Sequence, residues 1–393
     1  MKIQVGLGLR PCRAVHPGFA VNLLIGYSLF VGLRPALRVA DAQSFFASRG
    51  LGEEQISYDA LQSALGKAFL FSYENPSFPL NLKSVLTLGN INQGILYGKE
   101  DKNGRLLYNI KFNYLKILIP LPFKTKIGLS LRERFSQDFD VYSETSGIYY
   151  WHITGKGGIN SLSLAFAKQI QEVFSLGVAY DYLFGGSEEV WSFETEEQVL
   201  TQETIGGCYR GGVWKFTTLG RIKGIQLGAG IEFFRPLKYI GLSGMSGESV
   251  QEIRLSPVYN LGIGFSPNEK KHFSFGVTYR DWRKVKLGES IWSTFTNGLL
   301  FSLGFSDYLR EKYPLRIGYC ENFWYLLSRE RKRVGESSIN FGTSVRIPKY
   351  GFFDFSLEIF YRRGRYLKEM GAKLNSSVRF DEVWQKRKRR WGY

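Results

Sequence analysis

Three histidines and three cysteines are the scarcest titratable residues in this 393-residue chain, and their placement limits the chemistry available to it. His16 stands near the N-terminus, while His152 and His272 lie far apart with no ligand spacing around them. A transition-metal site needs several N or S donors at short, fixed intervals, and Cys12, Cys208 and Cys320 do not supply them. The same three cysteines exclude a disulfide framework. Gly155-Lys156-Gly157-Gly158 and Gly262-Ile263-Gly264 match neither a phosphate loop nor a dinucleotide fingerprint, and no nucleophile elbow is present. These glycines read as turn and strand residues. No catalytic, cofactor-binding or metal-binding residue is assigned, and the expectation is a protein that is not an enzyme.

Charged residues set among alternating segments carry more information. Lys111, Arg132, Asp181, Glu232, Arg280, Arg316, Asp354 and Glu358, with Lys373 and Arg379, share the parity of small and polar residues. On strands of a closed sheet such positions face the lumen, where charges pair across the barrel or set selectivity. Filling a non-conducting interior is the plainer reading for any one of them.

The elements that must position them follow from a period of two, which marks strands. Tyr108, Ile110, Phe112 and Tyr114 alternate with Asn109, Lys111 and Asn113, and Ile225, Leu227, Ala229, Ile231 and Phe233 with Gln226, Gly228, Gly230 and Glu232. Phe273, Phe275, Val277 and Tyr279, then Phe353, Phe355, Leu357 and Ile359, repeat the pattern. About fourteen such segments run from Leu82 to Phe380, near the ~9–11 residues that a tilted strand needs to cross a bilayer. The expected fold is all-β: a transmembrane antiparallel barrel of about 14 strands, closed because hydrocarbon offers no partner to an open edge. Short turns such as Ser266-Pro267-Asn268-Glu269 and 346–351 are expected at one rim. Long loops are expected at Gly185 to Gly206, Gly241 to Val250 and Asn322 to Ser337, the last with its Arg329-Glu330-Arg331-Lys332-Arg333 cluster.

Composition agrees with strands and turns, with 44 Gly, 31 Phe, 23 Tyr and 8 Trp. A formal net charge of +17 raises the question of nucleic acid, yet no nucleic-acid motif accompanies it. Part of the charge is the run from Lys386 to Arg390, and the rest is scattered as suits a wall meeting lipid phosphates. Near the N-terminus Lys2, Arg10 and Arg13 precede an apolar stretch from Phe19 to Leu33, followed by Ala40-Asp41-Ala42, the order of a cleaved export signal. The resulting organisation is a signal peptide (1–42), a segment before the first strand (43–81), the barrel (82–380) and a basic tail (381–393).

The segment before the barrel contains Ser48-Arg49-Gly50-Leu51-Gly52, then Asp59-Ala60-Leu61-Gln62-Ser63-Ala64-Leu65-Gly66-Lys67-Ala68-Phe69, then Asn75-Pro76-Ser77-Phe78-Pro79. This order resembles FadL-like outer-membrane transporters and the related PorV/PorQ-type barrels, with Ser77 in place of the Ala of an Asn-Pro-Ala element. Ser136-Gln137-Asp138-Phe139-Asp140-Val141-Tyr142 is similar to a loop of uncharacterised members. The resemblance implies that 43–81 is a plug inside the barrel and that hydrophobic small molecules pass across the outer membrane. The alternative it implies is a non-transporting scaffold of a secretion system. Implied partners are outer-membrane lipid and lipopolysaccharide, the barrel-assembly machinery and a hydrophobic ligand. Transport further predicts an apolar pocket near the plug and a lateral gap in the wall; a scaffold predicts a filled lumen.

Overall fold

A computed structural model describes residues 39–382 apart from 42–43, 49, 80–81, 101–102, 147–148, 172, 196–197, 244–246, 269, 288–289, 292–294, 311–312, 328–332, 348–350 and 365–366. The expected signal segment thus lies almost wholly outside the described residues, as do Cys12, His16, residues 329–332 of the basic cluster and the tail beyond Glu382.

Fourteen strands form the wall: β1 Val85–Glu100, β2 Asn103–Leu121, β3 Thr125–Ser136, β4 Tyr149–Ile170, β5 Phe174–Glu194, β6 Val199–Ile222 and β7 Ile225–Phe234. They continue as β8 Val258–Phe265, β9 Lys271–Asp281, β10 Asn297–Arg310, β11 Tyr313–Leu327, β12 Arg333–Ile347, β13 Gly351–Arg363 and β14 Leu367–Glu382. Each pairs antiparallel with the next, and β14 closes on β1 from Leu367↔Glu100 to Glu382↔Val85. Closure removes the sheet edges that hydrocarbon could not satisfy. No helix among the described residues is long and apolar enough to span a membrane, so the strands must do so.

Side chains sort by parity as the alternation requires. Ile110, Phe112, Leu227, Phe233, Phe273, Phe275, Leu357 and Ile359 are exposed on the outside, whereas Ser274, Ser302, Ser356 and Asn340 are buried within. Apolar residues outside and polar ones inside invert a water-soluble protein and suit a barrel set in lipid. Tyr114 departs from its expected place with Phe112. Asn113 drops out of the ladder between Asn90↔Tyr114 and Ile91↔Phe112, and this bulge shifts the parity by one. Tyr114 and Leu118 therefore turn inward and are buried, while Leu115 and Ile119 take the outer face.

Two expected loops are strand. Gly185 to Gly206 belongs to β5 and β6, laddered from Gly185↔Tyr209 to Glu194↔Val199. Val190, Trp191, Phe193, Thr201 and Thr204 keep β-forming residues running through this acidic stretch. Residues 241–243 and 247–250 lie in the paired strands Leu237–Ser243 and Gly247–Arg254, and β11 and β12 reach Leu327 and Arg333 on either side of the third. With 22, 21 and 24 residues, β4, β5 and β6 are about twice the length a bilayer demands and overhang one rim, here the loop rim. The opposite turn rim holds the short connections, the start of β1 and the end of β14.

Inside lies the plug, residues 44–79. It descends from Ser44, whose N–H donates to Asp138 O, through α1 Ala60–Ala64 to the Asn75–Pro79 turn. Asp59 caps α1, its carboxyl oxygen accepting from Gln62 N at 2.8 Å. Past the helix Gly66 adopts φ +69°, and a Cβ there would stand 2.4 Å from Leu303 O. The wall opposite is just as bare: a Cβ on Gly318 would lie 2.1 Å from Gly66 N. Backbone thus packs on backbone where α1 meets the barrel.

Candidate functional site

The lumen is filled in tiers. Toward the loop rim Phe46 and Leu51 of the plug join Phe135, Ile159, Leu183, Trp282, Trp324 and Tyr325 in an apolar cluster. At the turn rim Ser77 hydrogen-bonds Thr217, and Lys126 donates to Ser77 O and Pro79 O. Between these tiers run two ionic networks.

In the first, Glu74 of the plug lies 3.3 Å from Lys116, 3.2 Å from Arg132 and 3.4 Å from Lys215. Asp181 on β5 takes Arg132 and Lys215, both at 2.7 Å. Arg134 pairs with Glu232, and Arg280 lies 3.1 Å from Glu54. Burial alone would raise the Glu74 carboxyl, but the three cations beside it hold it well below the usual carboxylate range.

Arg362 on β13 centres the second network. Its Nε donates to Glu336 at 2.8 Å, Nη1 to Ser44 Oγ and Glu369, and Nη2 to Glu53 at 3.0 Å. Lys373 also reaches Glu53, and Lys67 of the plug bonds Glu336 at 3.1 Å and Glu358 at 2.6 Å. Those two carboxylates overcome desolvation and lift the Lys67 ammonium well above its ordinary value. Asp59 shows the opposite balance: burial pushes its carboxyl up to about 7 against the helix-cap hydrogen bond and the charge of Arg379.

The residues singled out by parity take the following positions. Arg132, Asp181, Glu232 and Arg280 lie in the first network and Glu358 in the second. Arg316 and Asp354 form a separate buried pair bridged by Ser344, and Arg379 donates to Tyr73 of the plug. Lys111, more exposed, bonds Glu133 at 2.7 Å and Asp138. Sequence reasoning passed over Arg134 and Lys215, whose parity beside Arg132 and between Trp214 and Phe216 would have found them. It also missed Glu336 and Arg362 on the wall and Glu53, Glu54, Lys67 and Glu74 in the plug. The plug residues have no periodicity to betray their direction.

Lys111 marks a break in the wall. The β2–β3 ladder ends at Tyr114↔Arg132, and the remainder of β2 toward the loop rim has no pairing with β3. Glu53–Glu54 of the plug pairs instead with Phe135 and Ser136 at the end of β3, and a short strand ending at Asp41 pairs with β2. Side chains bridge the rest, through Lys111–Glu133 and Arg105–Asp140 at 2.8 Å. Just inside is a recess of about 20 Å³ lined by buried Leu96, Leu107 and Phe360 with Gln55 and Glu133. Above it His152 bonds Asp140 and Glu194, both at 3.2 Å, and stacks on Tyr142. His272 is held by Ser266 Oγ and the edge of Phe71. Among the described residues no group of three or more His, Cys, Asp or Glu could hold a metal ion.

A closed fourteen-stranded transmembrane barrel around an internal plug is the class of protein that these features define. It is a FadL-like barrel in fold. The chain covers 84% of its length on the Pseudomonas putida toluene transporter TodX and 99% of that chain, at 12% identity and a TM-score of 0.60. For the Ralstonia pickettii toluene transporter TbuX the values are 83%, 98%, 10% and 0.56, and for a Pseudomonas aeruginosa FadL homologue 87%, 98%, 10% and 0.55. Such low identities establish shared architecture. The family model described as BamG matches residues 67–210, from the end of α1 into β6. No curated protein sequence matches the chain.

Proposed function

We propose that this chain is an outer-membrane barrel, exported by the 1–42 segment, that passes hydrophobic small molecules through its wall beside the plug. One juxtaposition carries the reading: the unladdered stretch between β2 and β3 lies against a small recess in which Leu96, Leu107 and Phe360 meet Lys111, Glu133 and Lys373. An apolar solute entering there exchanges lipid for those aliphatic and aromatic side chains and passes the Lys111–Glu133 pair and Lys373 at the margin of the second network, without reaching Lys67 or Glu74. Axial passage would have to displace Lys67, Glu74 and their partners. Architecture shared with toluene transporters supports the same reading. The match to the BamG family model, over the plug's end, the first five strands and part of β6, keeps the barrel-assembly machinery as a proposed partner.

Uptake of a neutral fluorescent apolar probe by intact cells tests the proposal. Expression should raise uptake several-fold, and joining Arg105→Cys to Asp140→Cys with a short bismaleimide, in a Cys208→Ser background, should abolish the gain. No gain on expression, or a gain indifferent to the cross-link, would return the protein to a structural role.

A further inference from the structure

Between plug and wall lies a cavity of about 130 Å³, bordered by both ionic networks. Each buried side-chain atom of its lining that has no hydrogen-bond partner is a donor: Gln55 Nε2, Asn75 Nδ2, Arg134 Nε and Nη1, and Arg280 Nε, Nη1 and Nη2. Arg134 and Arg280 are each only 3% exposed. Leaving a buried donor unsatisfied costs about 1–3 kcal/mol, more when it is charged. Their carboxylate neighbours do not relieve them. Arg134 spends Nη2 on Glu232, and its Nη1 stands 3.6 Å from Asp181. Glu54 approaches Arg280 Nη1 at 3.1 Å but out of line for a hydrogen bond. The Nε and Nη2 atoms of Arg280 make up one side of its fork, the side that receives a carboxylate in bidentate fashion.

Charge points the same way. Lys116, Arg132, Arg134, Lys215 and Arg280 are five cations against the four carboxylates Glu54, Glu74, Asp181 and Glu232. A water molecule would accept from two donors but bring two more of its own, whereas a carboxylate only accepts. The rest of the lining mixes polar and aliphatic side chains with aromatic ones, among them Tyr58, Trp282 and Tyr325. Phe234 and Trp282 hold the Arg280 guanidinium 4.5 and 4.6 Å from their ring centres. A cavity of about 150 Å³ accommodates a benzene ring, so this slightly smaller one takes at most a single ring and no long acyl chain.

We infer that this cavity is a binding site for a compact aromatic carboxylate, of the size of benzoate, held by the Arg280 fork and Arg134 Nε with its ring against Tyr58 and Trp282. The site is independent of passage through the wall and can exist in a barrel that transports nothing. Calorimetric titration of the purified, detergent-folded full chain with sodium benzoate and with neutral benzamide, at constant ionic strength, tests it. Saturable benzoate binding at least tenfold tighter than benzamide is expected, and Arg280→Gln should weaken benzoate at least tenfold while leaving benzamide unchanged. Equal binding of the two compounds, no saturable binding, or an Arg280→Gln protein that binds benzoate as before overturns the inference. Should that variant fail to show the heat-modifiable gel shift of a folded barrel, the wild-type ratio of benzoate to benzamide decides by itself. Loss of benzoate binding with uptake of the apolar probe intact removes this site alone, and the reverse result removes passage alone.

Discussion

Arg362 and Arg280 are equally deep in the lumen, and each rests on two aromatic rings, Trp324 and Phe360 for the first and Phe234 and Trp282 for the second. Their N–H groups fare differently. Arg362 meets Glu53, Glu336, Glu369 and Ser44 and so ties the plug to three strands, while Arg280 makes no hydrogen bond with Nε, Nη1 or Nη2. Around Arg362 carboxylates outnumber cations, four (Glu53, Glu336, Glu358, Glu369) to three (Lys67, Arg362, Lys373), and around Arg280 the surplus is reversed. Equal burial therefore does not mean equal duty. A satisfied guanidinium organises the fold, and an unsatisfied one in a cavity is directed at something that accepts.

Removing each arginine separates these duties most sharply. Arg362→Met would leave Glu53, Glu336 and Glu369 buried without their main counter-charge, and breaking such a cluster costs about 3–5 kcal/mol. Plug release in detergent, followed by protease cleavage between residues 44 and 79, should report it. Arg280→Met removes orphaned donors and is expected to cost less than about 1 kcal/mol, or to stabilise. Equal losses from the two substitutions would break the distinction.

Plug docking without charge gives the next effect. Gly318→Val inserts a side chain where a Cβ alone would meet Gly66 N at 2.1 Å. Since backbone cannot yield as a flexible side chain does, about 1–3 kcal/mol of overpacking strain is expected. The same protease assay should find the plug loosened although both ionic networks are untouched. An unaffected plug would place the whole docking force in the ion pairs.

Much of this architecture is written in parity, and some of it could not be. Ile225 to Phe233 and Phe273 to Tyr279 announce their faces because lipid on one side and polar lumen on the other impose a period of two. The plug obeys no such field. Glu53, Glu74 and Lys67 are surrounded by protein on every side, so their neighbours are set by tertiary pairing across hundreds of residues and leave no local trace. Acidic composition concealed strand between Gly185 and Gly206, and a single omitted ladder residue, Asn113, turned Tyr114 inward. Arg280 was legible as an inward charge, but its lack of a hydrogen-bond acceptor was not, since that depends on where Glu54 and Glu232 come to rest.

Asp59 probes a buried acid whose burial outweighs the cation that acts on it, Arg379. Burial raises its folded pKa to about 7 from an ordinary value near 3.8, so the folded state binds the proton more tightly than the unfolded one. The associated stability is complete below about pH 3.8 and is lost as pH rises through about 7. Asp59→Asn keeps the helix cap without the charge. It should flatten unfolding stability between pH 4 and 8 and gain about 1–3 kcal/mol at the upper end, the cost of an unmet buried polar group. Chemical denaturation across that range measures it, and an unchanged pH slope would mean that the carboxyl reaches solvent.

The smallest effect belongs to a part-buried charged cluster near the loop rim. His152, on the overhanging end of β4, feels partial desolvation pulling its pKa down, but hydrogen bonds and charge from Asp140 and Glu194 hold it above the ordinary value. Its contribution is therefore full below about pH 6.5 and lost as pH rises through the folded value. Pairs within reach of solvent contribute about 0.2–1 kcal/mol, so the segment Phe139–Ser146 should exchange its amide hydrogens modestly faster at pH 8 than at pH 5.5 once intrinsic rates are divided out. His152→Gln should erase that difference without loosening the plug. A persisting pH response would rule out His152 as the latch that holds the Phe139–Ser146 arm to β4. A response as large as that of Arg362→Met would show that the latch holds the lumen as well as the rim.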